Sequence, residues 1–219
     1  MEATEAADAI REAAAHEKAE HDTLERFRTL AAVAIAVLAM LLAIASLGSE
    51  DATKEMINSN IRASDTWAFY QAKNIRQTAN QLTADELEAS MMMQGGTVSE
   101  EARQDVQRRI ERYRATVARY ESEPDPSDPT NPLKGEGKKE LLAQAKDWEG
   151  KREHAEQKDR NFDYSRALLQ IAIVLGSVAI VAGSRPMLGL GLLVGLVGTL
   201  LMVNGFLLLV PLTGGEAAH

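Results

Sequence analysis

The sequence predicts an all-α membrane protein with three transmembrane helices and a long extramembrane helical coiled-coil hairpin between the first and the second. The first observation is that three blocks of the chain contain no charged residue and are long enough to cross a membrane, which takes about 17 to 25 residues in a helix. These blocks are residues 30–47, 167–183 and 187–210. The second observation is that polar segments between the first two blocks keep apolar residues at heptad spacing, which is typical of a coiled-coil seam.

The N-terminal segment, residues 1–29, is predicted to be an amphipathic helical tail. It is rich in alanine and glutamate, and no glycine or proline separates it from the first apolar block. One helix is therefore expected to run through both. Because a tail of mixed charge precedes this block and no small-residue cleavage pattern follows it, we interpret residues 30–47 as an uncleaved anchor.

The extramembrane segment, residues 48–166, is predicted to contain three helices. The first carries an apolar stripe at heptad spacing and ends at the sequence MMMQGG, residues 91–96. A break near Thr83 is an alternative, because Thr83 and Glu86 have the spacing of a capping box. The stripe consists of Ile57, Ile61, Ala68, Ala72, Ile75, Ala79 and Leu82.

The second helix of this segment is expected to open at a capping box of Thr97 and Glu100 and to pack on the first as an antiparallel hairpin. Residues 121–137 contain four prolines and are predicted to be a loop or a disordered linker. The third helix is expected to start near Lys138 and to run into the second membrane block. The apolar residues of the second helix follow a 4-3-4-3 spacing: Val106, Ile110, Tyr113, Val117 and Tyr120.

Two glycines in the third membrane block are predicted to be interaction residues. Gly191 and Gly195 form a small-xxx-small step, which lets helix backbones approach closely in lipid. The step serves either a contact between copies or only the hairpin of the last two membrane helices, which Ser184-Arg185-Pro186 joins tightly. Residues 211–219 form a C-terminal tail.

The two tryptophans of the chain, Trp67 and Trp148, are predicted to be neighbours. On continuous helices they stand roughly 30 Å and 28 Å beyond the membrane blocks, at 1.5 Å per residue, which is too far out for the interfacial aromatic belt. Together with Phe69 and Tyr70 they form what we call the aromatic tier. Because the three rings near residue 67 cover more than one face of their helix, we predict that the tier contacts another protein. The alternative is that helices of the same chain cover it.

Residue types needed for catalysis or metal binding are absent or wrongly spaced. The chain has no cysteine, which excludes thiolate catalysis and zinc–thiolate sites. His16 and His21 are five residues apart, whereas a zinc-binding helix places its histidines four apart on one face. The apolar blocks hold no ionisable residue in their interior, which argues against transport. We expect no enzyme activity, no cofactor and no metal, and the net charge of −8 argues against a nucleic acid partner.

Basic residues at the ends of the apolar blocks predict the orientation in the membrane. Arg185 lies in the only short loop, and Arg26 and Arg28 precede the first block, so these ends are expected on the cytoplasmic side. The N-terminus is then cytoplasmic and the extramembrane segment periplasmic, in a multi-pass protein of the bacterial inner membrane. Basic residues before the second block oppose this orientation, but residues of long segments count little in the rule.

The order of these features resembles a family of bacterial membrane proteins catalogued as a domain of unknown function, of the DUF4337 type. The resemblance lies in the segments 63–77, 168–180 and 185–198 and in His21-Asp22 before the first block. It covers the chain from about residue 20 to 210, except for 91–137, which looks like a variable insertion. It implies a membrane-anchored helical protein and supplies no catalytic residue.

The resulting hypothesis is a structural, self-associating membrane protein whose partners are the lipid bilayer and further copies of itself. One alternative is an accessory subunit that docks another protein of a larger membrane complex. A second alternative is an oligomeric pore. Its lining would be formed by Gln170, Ser177, Thr199 and Asn204.

Overall fold

The computed structural model describes residues 2–94 and 99–210, and within these ranges the chain forms four α-helices and no β-strand. The all-helical prediction is thereby confirmed. The predicted cap Thr97 and the predicted tail 211–219 lie outside the described residues. The helices are α1 (Glu2–Gln94), α2 (Glu100–Glu121), α3 (Lys138–Ala182) and α4 (Arg185–Leu207).

Three of these helices are long and apolar enough to cross a membrane, and they contain the three apolar blocks of the sequence. The candidate spans lie within His21–Met93 of α1, in α3 and in α4. Gly183 follows α3 with a φ of 62°, a left-handed conformation that glycine adopts without steric cost. Ser184 then precedes α4, and Pro186 lies in its first turn, where a missing N–H leaves no helical hydrogen bond unmade.

Helix α1 runs without interruption over 93 residues. The break considered near Thr83 is absent, because the Thr83 hydroxyl donates to the carbonyl of Ala79 inside the helix, at 2.9 Å, instead of capping a new one. The helix ends at Gln94, within the predicted MMMQGG sequence. Helix α2 follows from Ser99, whose side chain accepts a hydrogen bond from the Ala102 N–H and so caps the helix.

The chain divides into two compact units, each of which contains parts of α1 and α3. The first unit comprises Met1–Lys54 and Ala155–His219, and the second comprises Glu55–His154. In the first unit, one line of buried residues on α1 recurs every seven positions, which keeps this line of the helix against its neighbours. This line consists of Ala31, Leu38, Ala45 and Ala52.

The core of the first unit closes around Phe162 of α3, which is 2% exposed. Its ring packs edge-to-face on Phe206 of α4, with 4.8 Å between ring centroids. A Cβ atom on Gly48 of α1 or on Gly205 of α4 would lie within 3 Å of this ring. The ring therefore fills the space that two glycines leave, and it joins all three helices of this unit.

In the second unit, the face of α1 that is buried within the chain is largely polar. The line of buried residues continues there with Ser59, Ala63, Lys73 and Ala84. Gln77 on the same face donates to Glu121 of α2 at 3.0 Å and accepts from Lys138 of α3 at 2.7 Å. Polar side chains thus connect the three helix segments where the sequence pattern suggests an apolar seam.

The proline-rich segment between α2 and α3 is a closed loop of consecutive turns. The N–H groups of Asp128, Asn131 and Lys134 each donate to the carbonyl three residues earlier, at 3.1 to 3.2 Å. Each of the three turns begins with Asp or Asn and has proline in second place, the residues that β-turns of type I favour there. Of the two predicted alternatives, a loop and a disordered linker, the loop describes this segment.

Candidate functional site

The aromatic tier lies within the second unit, where helices of the same chain contact most of it. The indole Nε1 of Trp67 donates to Glu149 of α3 at 2.8 Å. The rings of Trp67 and Tyr70 pack edge-to-face, with 5.6 Å between their centroids. Because Glu149 directly follows Trp148, this hydrogen bond brings Trp67 against the turn of α3 that carries Trp148.

Two cations of the chain lie over the indole ring of Trp148. The guanidinium of Arg62 on α1 lies 4.9 Å from the centroid of the indole ring, and the ammonium of Lys151 lies 4.1 Å from it. Cations at these distances are attracted to the face of an indole. Phe69 is the most exposed member of the tier, with 41% of its surface accessible. A contact of the tier with another chain stays a prediction, and Phe69 is its most accessible residue.

The apolar heptad stripe of α1 lies on the outer face of the second unit and not in the seam within the chain. We call the residues from Ile57 to Leu82 at these positions the outer stripe. Its large members are 52% to 69% exposed. They are Ile57, Ile61, Ile75 and Leu82.

The outer stripe and the buried line of α1 lie on opposite faces of the helix. Each heptad position of the stripe follows a position of the buried line by two residues, as Ile61 follows Ser59 and Ile75 follows Lys73. Two residues correspond to about 200° around a helix. The chain therefore uses one face of α1 for its own packing and leaves the more apolar face exposed.

Lys73 is a buried lysine that the sequence pattern did not reveal. Only 5% of the residue is exposed. Its ammonium lies 3.3 Å from a carboxylate oxygen of Glu123 and 3.9 Å from one of Glu136. The rings of Phe69 and Tyr120 lie 5.5 and 5.6 Å from it. The signal that could have found it is its spacing of two heptads after Ser59 on the buried line.

Glu140 at the start of α3 closes the turn-rich loop. Its two carboxylate oxygens accept hydrogen bonds from the Ser122 hydroxyl at 2.7 Å and from the Glu123 N–H at 3.1 Å. Burial raises the pKa of this carboxyl, but the two hydrogen bonds outweigh it, so the pKa of Glu140 lies below its usual range. The ionised form thus holds the two ends of the loop together.

The two glycines predicted as interaction residues pack against helices of their own chain. Gly191 lies against the backbone of α3, where a Cβ atom would be 3.2 Å from the carbonyl oxygen of Ala172. A Cβ atom on Gly195 would be 2.6 Å from Leu38 of α1 and 3.3 Å from the Cβ atom of Ala172. Of the two predicted uses of this step, the contacts favour packing within the chain.

A comparison with protein-family models gives the relationship of this chain. The model described as Domain of unknown function (DUF4337) matches residues 27–208. The chain belongs to this family. The match extends from within α1 to the residue after α4, and it confirms the resemblance recognised in the sequence. No curated protein and no solved structure matches the chain.

In this DUF4337 chain, one group of side chains has the composition of a metal site. His21, Asp22 and Glu25 offer ligand atoms within 4.8 Å of one another, and all three residues are exposed. His21 and Glu25 are an ordinary pair four residues apart on a helix, with 3.9 Å between them. His16, the other histidine of the sequence pattern, lies outside the residues whose side chains are described. The group therefore supports no metal assignment.

Proposed function

We propose that this chain is a structural, self-associating membrane protein with a coiled-coil stalk and no catalytic chemistry. The observation that carries the proposal is the outer stripe, a line of large apolar side chains on α1 that stay 52% to 69% exposed among the described residues of the second unit. An exposed apolar patch on a soluble surface is typical of a protein interface. In this proposal the stalk is formed by residues 48–166, and the three spans lie in a bacterial inner membrane.

The coiled-coil hairpin of the stalk is supported by the contacts between α1 and α2. Gln77 bonds to Glu121, and Glu88 further along α1 pairs with Arg114, which lies earlier on α2. Contacts in this order belong to helices that run in opposite directions. In α2, the residue that is buried most deeply is Ile110, a member of the predicted 4-3-4-3 line.

The size of the outer stripe indicates how strongly it can hold two copies together. Complete burial of an Ile or Leu side chain stabilises by about 1.5 to 3 kcal/mol, so the exposed half of each represents about 1 kcal/mol. Four such side chains from each of two copies contribute about 8 kcal/mol, and association costs about 4 to 15 kcal/mol. The stripe therefore supports weak association in solution. Anchoring in one bilayer raises the effective concentration of the copies and favours pairing.

The contacts of the polar residues in the membrane helices do not favour a pore. Ser177 and Thr199 donate to carbonyls four residues earlier in their own helices, at 2.8 Å. Asn204 donates to Asn161 at 2.7 Å and also bonds the backbone of Val210. These three side chains form hydrogen bonds within the chain, as is usual for packed membrane helices, and the fourth candidate, Gln170, is exposed. We retain the cytoplasmic N-terminus and the periplasmic stalk as parts of the proposal.

Mass photometry of the full chain, chemically crosslinked in lipid vesicles and then solubilised in a mild detergent, tests the proposal, because the bilayer keeps the copies concentrated. We expect particles that contain more than one copy for the natural sequence and monomers for the double variant Ile61→Asn, Ile75→Asn, because the variant removes apolar surface from the stripe and an asparagine pair on a coiled-coil seam costs stability. The matched control is Met92→Asn, which changes an 81% exposed apolar residue of the same helix outside the stripe.

The outcomes of this measurement separate the proposals. A monomeric natural protein overturns self-association. A particle that contains another protein in fixed proportion identifies an accessory subunit of a larger complex and assigns the stripe to that partner. Equal loss of association in the double variant and in the control shows that the copies do not associate through the stripe.

A further inference from the structure

We propose that two copies of the chain pair their α1 helices along the outer stripe, parallel and in register. This inference rests on the proposed self-association and names the surface and the partner that produce it. The occupant of the stripe is the same stripe of a second copy.

The spacing of the stripe indicates that its partner is a helix. Ile61, Ala68, Ile75 and Leu82 are separated by seven residues each. A seven-residue repeat stays on one line only when the helix supercoils with another helix, since a straight helix drifts by about 20° per heptad. The buried line of α1 fits the same repeat, so both faces of α1 have the spacing that such a pairing requires. Its members at this spacing are Ala31, Leu38, Ala45, Ala52, Ser59 and Lys73.

The width of the stripe indicates a single partner helix. Its seven residues fall within an arc of about 80° around α1, at 100° per residue. The stripe also alternates in size, with alanine at positions 68, 72 and 79 between the larger Ile and Leu residues. Small residues that face their own copies let two helices approach closely, and the larger residues above and below then fill the space between them.

The charges around the stripe permit pairing with a second copy. Four charged residues lie between Ile57 and Leu82: Arg62, Asp65, Lys73 and Arg76. Lys73 is buried on the opposite face, and Arg62 lies over Trp148. The remaining two, Asp65 and Arg76, lie on the same flank of the stripe, whereas the other flank has only uncharged polar residues. In a parallel pair the charged flank of one helix faces the uncharged flank of its partner. No two like charges are then brought together. The residues of the uncharged flank are Asn60, Ser64, Gln71 and Thr78.

The parallel direction follows from the continuity of α1. One helix contains both the first apolar block and the stripe. Copies of one protein are inserted into a bilayer with the same orientation, so their α1 helices leave the membrane on the same side. Two stripes that meet side by side then run in the same direction, with identical residues at the same height.

Disulfide crosslinking tests the pairing, and the chain suits it because it contains no native cysteine. The full chain carries one cysteine, introduced as Ile61→Cys, Ile75→Cys or Asn74→Cys, and is treated with a mild oxidant in lipid vesicles, where the copies are concentrated. We expect disulfide-linked dimers for most chains with Ile61→Cys or Ile75→Cys. Asn74→Cys is the matched control, because residue 74 is exposed and adjacent to Ile75 but points away from the stripe.

A second arm tests the direction of the helices. Ile57→Cys and Leu82→Cys chains of different tagged size are mixed before oxidation. A parallel pair gives only 57–57 and 82–82 products between chains, whereas an antiparallel pair gives the mixed 57–82 product. The mixed product, or equal crosslinking at residues 61, 74 and 75, overturns the inference.

The oligomeric state of the same samples distinguishes self-association in general from pairing of the α1 helices along the stripe. Multimeric particles whose stripe cysteines do not crosslink overturn the α1 pairing and leave self-association standing. Monomeric particles of the natural sequence overturn both. Particles of three or more copies overturn the pairing of two.

Discussion

Lys73 occupies a buried position of α1, where an apolar residue is usual. Its long side chain carries a charge into a region that is 5% exposed, and such burial is costly unless the charge is paired. Glu123 and the faces of two aromatic rings supply the partners. Since Glu123 belongs to the turn-rich loop, the lysine connects this loop to α1. A buried ion pair contributes little net stability, but it disfavours packing in any other register.

The second residue that holds this loop, Glu140, gives the second unit a dependence on pH. Its pKa is lowered in the folded chain from an ordinary value of 4.5. A carboxyl with a lowered pKa stabilises the fold fully above its unfolded pKa, and this contribution is lost as the pH falls through the folded pKa. The contribution is therefore present at neutral pH and disappears in acid.

We predict that Glu140→Gln lowers the midpoint of thermal unfolding at about pH 7, because an amide cannot accept both hydrogen bonds as a carboxylate does. As the pH falls below 4.5 and through the lowered pKa of the folded chain, the natural residue takes up a proton and the difference between the two proteins shrinks. Circular dichroism of the full chain measures both midpoints. Glu153→Gln is the control, since Glu153 is an exposed carboxyl on the same helix. A difference that is as large in acid as at neutral pH would contradict this role of the carboxylate.

At the scale of the elements, the sequence contains enough information to locate all four helices. Absence of charge identifies the membrane blocks, and the turn formers Gly183 and Pro186 separate α3 from α4. The same reasoning assigned the wrong seam to α1. Hydrophobic periodicity identifies the most apolar line of a helix, but the seam within this chain consists of Ser59, Lys73 and other polar or small residues. Which of two lines is buried depends on tertiary contacts that a single helix pattern does not contain.

The sequence pattern also left open whether the turn-rich loop is ordered, for a related reason. Proline content alone indicates a break in the helices, and it does not distinguish a flexible linker from an ordered loop. The ordered character is encoded in a three-residue repeat, Asp-Pro-Ser, Asp-Pro-Thr and Asn-Pro-Leu, at residues 125–133. In each repeat an Asx residue opens a hydrogen-bonded turn. A search for this short period would have found it.

The glycines of α4 lead to a prediction at this scale. Gly195→Leu places a side chain against Leu38 and Ala172, and overpacking of this kind costs about 1 to 3 kcal/mol. Gly189→Leu is the matched control, because no atom lies within 4 Å of a Cβ there, and replacement of an exposed helical glycine is neutral to stabilising. We expect the thermal midpoint of the full chain to fall only for Gly195→Leu.

The opposite result would assign the glycine step to a contact between copies. In that case Gly195→Leu would leave the thermal midpoint of the single chain unchanged and would reduce the fraction of multimers in mass photometry. The two measurements together therefore decide between the two uses that the small-xxx-small step permits.

At the scale of the whole molecule, the outer stripe and the apolar spans act together in the proposed assembly. The stripe is too small to hold two copies in dilute solution, and the spans confine all copies to one surface. Association should therefore depend on how densely the protein occupies the bilayer and only weakly on how dilute the vesicles are.

Energy transfer between fluorescently labelled chains in lipid vesicles measures this dependence. We predict that transfer falls when the lipid-to-protein ratio is raised, because the copies are then diluted within the membrane. Dilution of the vesicle suspension with buffer at a constant ratio should leave transfer unchanged. The Ile61→Asn, Ile75→Asn variant should give the low transfer of randomly distributed chains at every ratio, and Met92→Asn should behave as the natural protein. Transfer that stays high at all lipid ratios would show that a surface much larger than the stripe holds the copies together, since four exposed side chains per copy cannot supply such affinity.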